Sequence, residues 1–136
     1  MTPKELMAIA KEARQHAYAP YSGCMVGAAL LCADGTVYGG CNIENAAYGP
    51  TNCAERTAIF KAVYDGHRDF VAIAVCGGKG EESAEPFPPC GICRQVMREF
   101  CKDDFVIYLQ EKDDRIGEYT LAQLLPYGFQ KDKHLL

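Results

Sequence analysis

Two stretches decide the reading, "TNCAERTA" at residues 51–58 and "PPCGICRQ" at residues 88–95. In each, a strand-like pattern and a loop give way to a helical pattern, and a cysteine stands at the change. Working back from the first, "CMVGAALLC" (24–32) reads as a buried strand, and "ADG" is a hairpin signal. "TVYGGCNIE" (36–44) reads as the hairpin partner, and "NAAYGPTN" as a loop. A helix is expected from about Cys53 to Asp65, with Ala54, Ala58, Ile59, Ala62 and Val63 facing a core and Gly66 just past its end. Between the two cysteine stretches lie a second buried strand, "DFVAIAVCG" (69–77), and a loop over 78–89 that holds three prolines.

The second cysteine stretch opens a helix over about 90–101, followed by a strand, "DFVIYLQ" (104–110), and a charged turn, "EKDDR". Thr120 is placed to cap a short helix, "LAQLL", which Pro126 stops, and "YGFQKDKHLL" reads as a tail. At the other end, Thr2, Pro3 and Glu5 form a capping-box signature. Leu6, Ile9, Ala10, Ala13 and Ala17 then recur at helical spacing until Pro20 and Gly23. Strands alternating with helices predict an α/β fold, a mixed sheet covered by helices on both faces. At 136 residues the natural expectation is one domain, 1–136.

Composition narrows the function classes. The chain is 49% hydrophobic and 24% charged, the balance of an ordinary globular protein. Its net charge is −4 and no run of five like charges occurs, which disfavours a nucleic-acid polymer as partner. No apolar segment approaches the roughly 20 residues needed to span a bilayer, so no membrane partner is expected. "MTPKELMAIAKEAR" lacks the apolar block of a signal peptide, and a cytoplasmic location follows as the expectation. In that compartment the eight cysteines would stay reduced, so metal binding or catalysis is a better reading than four disulfides. Cys32, Cys76 and Cys101 sit in apolar runs and read as buried structural thiols.

A helix N-terminus carries partial positive charge and free N–H donors, which favour a thiolate. Cys90 and Cys93 are spaced C-x-x-C, so both sulfurs can reach one ion, and Cys53 offers a third from the other helix. A closed structural zinc site normally has four protein ligands; three leave a position for water, the layout of a catalytic zinc. Zinc lowers the pKa of bound water to about 7. Glu55 lies two residues from Cys53 and can serve as a proton shuttle rather than a ligand. A lone C-x-x-C could also be a redox pair or half of a zinc ribbon; it is the conjunction with Cys-x-Glu that is specific.

That conjunction, "CAE…PCGIC", resembles the three-cysteine form of the zinc nucleobase deaminase pattern. "APYS", "VGAAL", "GCNIENAAYGPTNCAERTA", "PCGICRQV" and "LLP" followed by "GF" resemble the small homotetrameric cytidine deaminases of nucleoside salvage, over about residues 18–129. The resemblance implies a three-layer α/β/α sandwich around a mixed five-stranded sheet. It implies one zinc per chain on Cys53, Cys90 and Cys93, with zinc-bound hydroxide attacking C4 of the pyrimidine. Glu55 would take the water proton, deliver it to N3 and later protonate the departing ammonia. Asn42 and Glu44 would bind the ribose hydroxyls, and the backbone around Ala54 and Cys90 the base. Phe129 and Tyr48 would help close the pocket across subunits of a homotetramer. The implied reaction is hydrolytic deamination of cytidine and deoxycytidine to uridine and deoxyuridine.

Arg56 then acquires a physical role. Three thiolates leave zinc with net charge −1, and an adjacent guanidinium can donate hydrogen bonds to sulfur and offset that charge; the alternative is a surface ion pair. Arg94 is a weaker candidate for the same role. One position departs from the family pattern: relatives carry an aromatic residue where "YSGCMVGAAL" has Cys24, which puts that contact with the base in question. His16, His67 and His134 stand outside the motif and read as surface or structural residues. Competing readings are a deaminase of a related aminopyrimidine nucleoside and, from another class, a zinc-binding interaction module.

Overall fold

The structure is a computed structural model that describes residues 1–80 and 86–135; the centre of the proline-containing loop lies outside the described residues. Five strands, β1 (Cys24–Cys32), β2 (Val37–Cys41), β3 (Phe70–Lys79), β4 (Val106–Gln110) and β5 (Ile116–Thr120), form one sheet in the order β2-β1-β3-β4-β5. β1 is antiparallel to β2 and β3, β3 is parallel to β4, and β4 is antiparallel to β5. The helices are α1 (Pro3–Arg14), α2 (Ala54–Tyr64), α3 (Gly91–Phe100) and two single turns, α4 (Leu121–Leu124) and α5 (Lys131–His134).

Strand alternation sorts two cores. Val26, Ala28, Leu30 and Cys32 of β1 point to one face, where they pack with Ile59, Ile73, Met97 and Ile107 under α2 and α3. Ala29 of β1 and Ala72, Ala74 and Cys76 of β3 point to the other face and meet Leu6, Met7 and Ala10 of α1. The expected three-layer α/β/α sandwich with a mixed five-stranded sheet is therefore observed. Among the described residues, no helix is long and apolar enough to cross a membrane.

This topology positions the two cysteine stretches. β2 and β3 are each antiparallel to β1 and so run the same way as one another, and β4 runs the same way too. Strands of one sheet that run the same way need crossover connections, here helices, which begin beyond the C-terminal ends of their strands. α2 crosses from β2 to β3 and α3 from β3 to β4, so both helices start at the same end of the strands. Gly40 lets β2 approach α2 closely: a Cβ there would lie 2.5 Å from the Ala54 carbonyl oxygen.

The first helix differs from its expected extent. Its capping box is present, with Thr2 and Glu5 exchanging two 3.1 Å hydrogen bonds. It ends at Arg14, not near Pro20, and Ala17 lies outside it. The His16 and Ala17 N–H groups tighten onto carbonyls three residues back, and Tyr18 then donates to the Asn42 carbonyl at 3.0 Å. The Arg14 guanidinium donates to the carbonyls of Met25, Gly78 and Gly80, which ties the helix end to the sheet. β2 is also shorter than expected, because after Cys41 the Asn42 side chain turns to the backbone of β1. The Thr120 cap forms as expected, completed by Gln123, whereas the tail contains an extra turn, α5.

Candidate active site

Cys53 and Cys90 are the N-cap residues of α2 and α3. Cys90 Sγ accepts the Cys93 N–H at 3.5 Å, which folds the C-x-x-C segment back on itself. The three sulfurs of Cys53, Cys90 and Cys93 lie within 4.8 Å of one another. Two sulfurs bound at about 2.3 Å to a tetrahedral zinc stand about 3.8 Å apart, and the Cys53 and Cys90 sulfurs stand 3.7 Å apart. The donor set and its spacing therefore fit zinc.

The electrostatics favour the metal-binding thiolate at Cys53. The Cys53 thiol is lowered to about 5, chiefly by its hydrogen bond with Cys93; burial opposes this, and hydrogen bonds with Arg56 and Cys90 add to it. Cys93 shifts upward, because it shares that hydrogen bond with Cys53 and is itself buried. Arg56 Nη2 donates to Cys53 Sγ at 3.3 Å. Burial disfavours the guanidinium charge, but hydrogen bonds to Cys53 and Cys93 outweigh it. Arg56 thus sits on sulfur. Arg94 does not: its guanidinium donates to the carbonyls of Pro89 (2.7 Å) and Leu124 (2.6 Å), bracing α3 against α4.

Glu55 occupies the first turn of α2 and is only 4% exposed. Burial pushes its carboxyl up to about 7, with Cys53 adding and a backbone hydrogen bond and Arg56 opposing. A nearly buried carboxyl one residue from Arg56 and two from Cys53 is placed to hold a proton beside the sulfur cluster.

The other expected residues have the following surroundings. Ala54 is fully buried at the start of α2. Asn42 is almost buried; its Oδ1 accepts from Val26 N–H (2.9 Å) and its Nδ2 donates to the Cys24 carbonyl (2.7 Å), so it pins the start of β1. Glu44 accepts from the N–H groups of Tyr21 and Ser22 at 2.9 and 3.1 Å, and from the Ser22 hydroxyl. These bonds, Ser22's first, hold its carboxyl below the usual range. Cys24 is half-buried, and its N–H donates to Ser22 Oγ at 3.0 Å. Tyr48 is 86% exposed and Phe129 53%. Phe129 stacks on His134, and its carbonyl accepts from Gln95 of α3 at 2.9 Å.

Sequence reasoning passed over Ser22, Tyr21 and Gln95. Ser22 and Tyr21 act largely through backbone N–H groups, which carry no residue signature. Gln95 reaches a backbone carbonyl 34 positions away, a pairing that becomes visible only once α3 and the tail are placed.

Fold and site together define a zinc-binding α/β protein of the three-cysteine class, with a buried glutamate beside the metal ligands. The model of the "Cytidine and deoxycytidylate deaminase zinc-binding region" matches residues 1–109. The chain is 53% identical to a cytidine deaminase of Sporosarcina psychrophila over 132 residues, covering 97% of this chain and 94% of that protein. It is also 53% identical to a cytidine deaminase of Halalkalibacterium halodurans over 129 residues, covering 95% of each. Among solved structures, a cytidine deaminase from Burkholderia pseudomallei superposes with a TM-score of 0.87 at 48% identity, covering 95% of this chain and all of that one. The chain belongs to the cytidine and deoxycytidylate deaminase family.

Proposed function

We propose that the protein is a zinc-dependent cytidine deaminase that converts cytidine and deoxycytidine to uridine and deoxyuridine with release of ammonia. The observation that carries the reading is the cluster of three sulfurs at two adjoining helix N-termini with Glu55 buried beside it. When bound, zinc supplies the Lewis acidity that makes water a nucleophile at neutral pH. Glu55 handles the protons: it accepts one from the attacking water, passes it to N3 of the pyrimidine, and protonates the amino group as it leaves. Arg56 offsets the negative charge of the thiolates through its bond to Cys53.

Asn42 and Glu44 bind the ribose hydroxyls. In support, the Glu44 carboxylate is already oriented and held ionised by Tyr21 and Ser22, which suits an acceptor for a hydroxyl. Ala54 and Cys24 flank the base. Phe129, tethered to α3 by Gln95, closes the pocket, and Tyr48 reaches a neighbouring subunit. The single domain, 1–136, works as a homotetramer in the cytoplasm. Exposed Phe60 and Tyr64, beside a groove of about 480 Å³ that also includes Tyr38 and Ile43, form an apolar surface that assembly would cover. The test is to incubate purified protein with cytidine and follow uridine formation with and without a chelator. Chelator-sensitive conversion is expected; no conversion by zinc-loaded protein would refute the reading.

A further inference from the structure

At the opposite end of α2 from the sulfur cluster, a second group of ligating atoms converges. One side-chain ligand atom each from Cys32, Asp34 and His67 lie within 4.8 Å of one another. Cys32 ends β1, Asp34 lies in the β1–β2 hairpin, and His67 follows Gly66, whose φ of 96° turns the chain out of α2. The 11 residues of α2 place about 16 Å of helix between this group and the three cysteines. We propose that Cys32, Asp34 and His67 form a second zinc site, with water in the fourth position, that staples the β1–β2 hairpin to the loop after α2.

The spacing that makes Asp34 and His67 an ion pair also suits a shared cation. Asp34 Oδ2 and His67 Nδ1 are 3.6 Å apart, too far for a direct hydrogen bond. Ligands at about 2.0–2.1 Å on a tetrahedral zinc stand about 3.4 Å apart, close to that separation. The ligands are also pre-oriented. Asp34 Oδ1 accepts the Thr36 N–H at 2.9 Å, which leaves Oδ2 toward the histidine. The His67 ring packs edge-on against Tyr38, with centroids 5.4 Å apart, and the Tyr38 hydroxyl is held by Asp65 at 2.8 Å.

Chemistry selects the ion. One sulfur, one imidazole and one carboxylate make a borderline donor set that suits zinc and poorly suits calcium or magnesium, which want oxygen. A thiolate and a carboxylate balance a divalent charge, so the site is neutral overall, which suits the buried Cys32. The Asp34 side chain is 57% exposed and that of His67 24%, which gives the ion a way in from solvent.

The test counts metal. Full-length protein is saturated with Zn²⁺, desalted into buffered zinc, and analysed for zinc per chain. Wild type is expected to hold two ions, and Asp34→Asn and His67→Gln one each. Cytidine turnover of the variants should be unchanged. The melting temperature should rise with the second equivalent in wild type and not in the variants. A Co²⁺ titration provides a spectroscopic check: the second equivalent should add tetrahedral absorption that His67→Gln lacks. Cys32→Ser should also hold one zinc; should it fail to fold, the variants at the two partly exposed positions still decide the matter. One zinc in saturated wild type, or two zincs retained by either variant, overturns the assignment.

Discussion

Replacing Gly40 with alanine drives a methyl group into the first turn of α2, the turn that carries Glu55. An ideal Cβ at this position lies 2.5 Å from the Ala54 carbonyl oxygen and 2.6 Å from the Ala58 nitrogen. Ordinary non-bonded contacts begin at about 3.5 Å, so α2 must retreat from β2 by about 1 Å. Overpacking of this kind costs about 1–3 kcal/mol, or roughly 3–12 °C in melting temperature for a domain of this size. Ala54 lies between Cys53 and Glu55, so the displacement is transmitted to one sulfur and to the Glu55 carboxyl. A misplacement of about 1 Å can cost about 10²-fold in rate.

Gly27→Ala is the control for Gly40→Ala. Its Cβ would lie 2.0 Å from the Ala10 carbonyl oxygen, so it pushes α1 away from the opposite face of the sheet. Thermal melts, zinc content and cytidine turnover should be measured side by side, well below both melting temperatures. Both variants should lose stability, but only Gly40→Ala should lose tenfold or more in kcat per folded, zinc-loaded chain. Equal turnover in the two variants would refute the claim that β2 sets the position of the catalytic turn.

Three further outcomes follow from the site. Arg56→Ala removes the 3.3 Å bond to Cys53 Sγ and should lower activity more than stability; Cys53→His in that background should restore part of it, since imidazole removes one negative charge, and strictly additive effects in the cycle would show the two residues uncoupled. Cys24→Phe should lower KM with little change in kcat, because an aromatic contact is worth about 0.5–1.5 kcal/mol beyond its area; unchanged KM and melting temperature would place Cys24 away from the substrate. Gln95→Ala cuts the tether to the Phe129 carbonyl and should raise KM up to about tenfold, the worth of one hydrogen bond, with the fold intact; an unchanged KM would free the tail of any role in closure.

The parts of the fold that could be read in advance are those whose signal is local. β1 matches its expected residues 24–32 because an apolar run bounded by turn residues has few alternatives. The starts of α2 and α3 match because cysteine serves as N-cap at both. The convergence of Cys53, Cys90 and Cys93 was legible through their motif, and the topology supplies its physical reason. What sequence reasoning missed depends on distant partners. The end of α1 is set by Arg14 reaching Gly78 and Gly80, more than sixty residues away. β5 is a short edge strand, "IGEYT", with no fully buried residue, and pairing with β4 is what organises it. Ser22, which holds Glu44 from 22 residues away, gave no sign of that role. Met7 is fully buried although the apolar spacing of α1 is already satisfied by its neighbours.

The central claim is that Glu55 moves the protons of a hydrolysis carried out beside three cysteine sulfurs. The most direct measurement is the turnover of zinc-loaded Glu55→Gln on cytidine, with zinc content and melting temperature recorded on the same sample. Glutamine keeps the shape and can hydrogen-bond, but it cannot carry a proton, and loss of a general acid–base group costs about 10²–10⁴-fold. Because one residue serves several transfers, a loss at or above the upper end of that range is predicted, with the Cys53–Cys90–Cys93 zinc and the fold retained. A folded, zinc-loaded variant that turns over cytidine within tenfold of wild type would contradict the account.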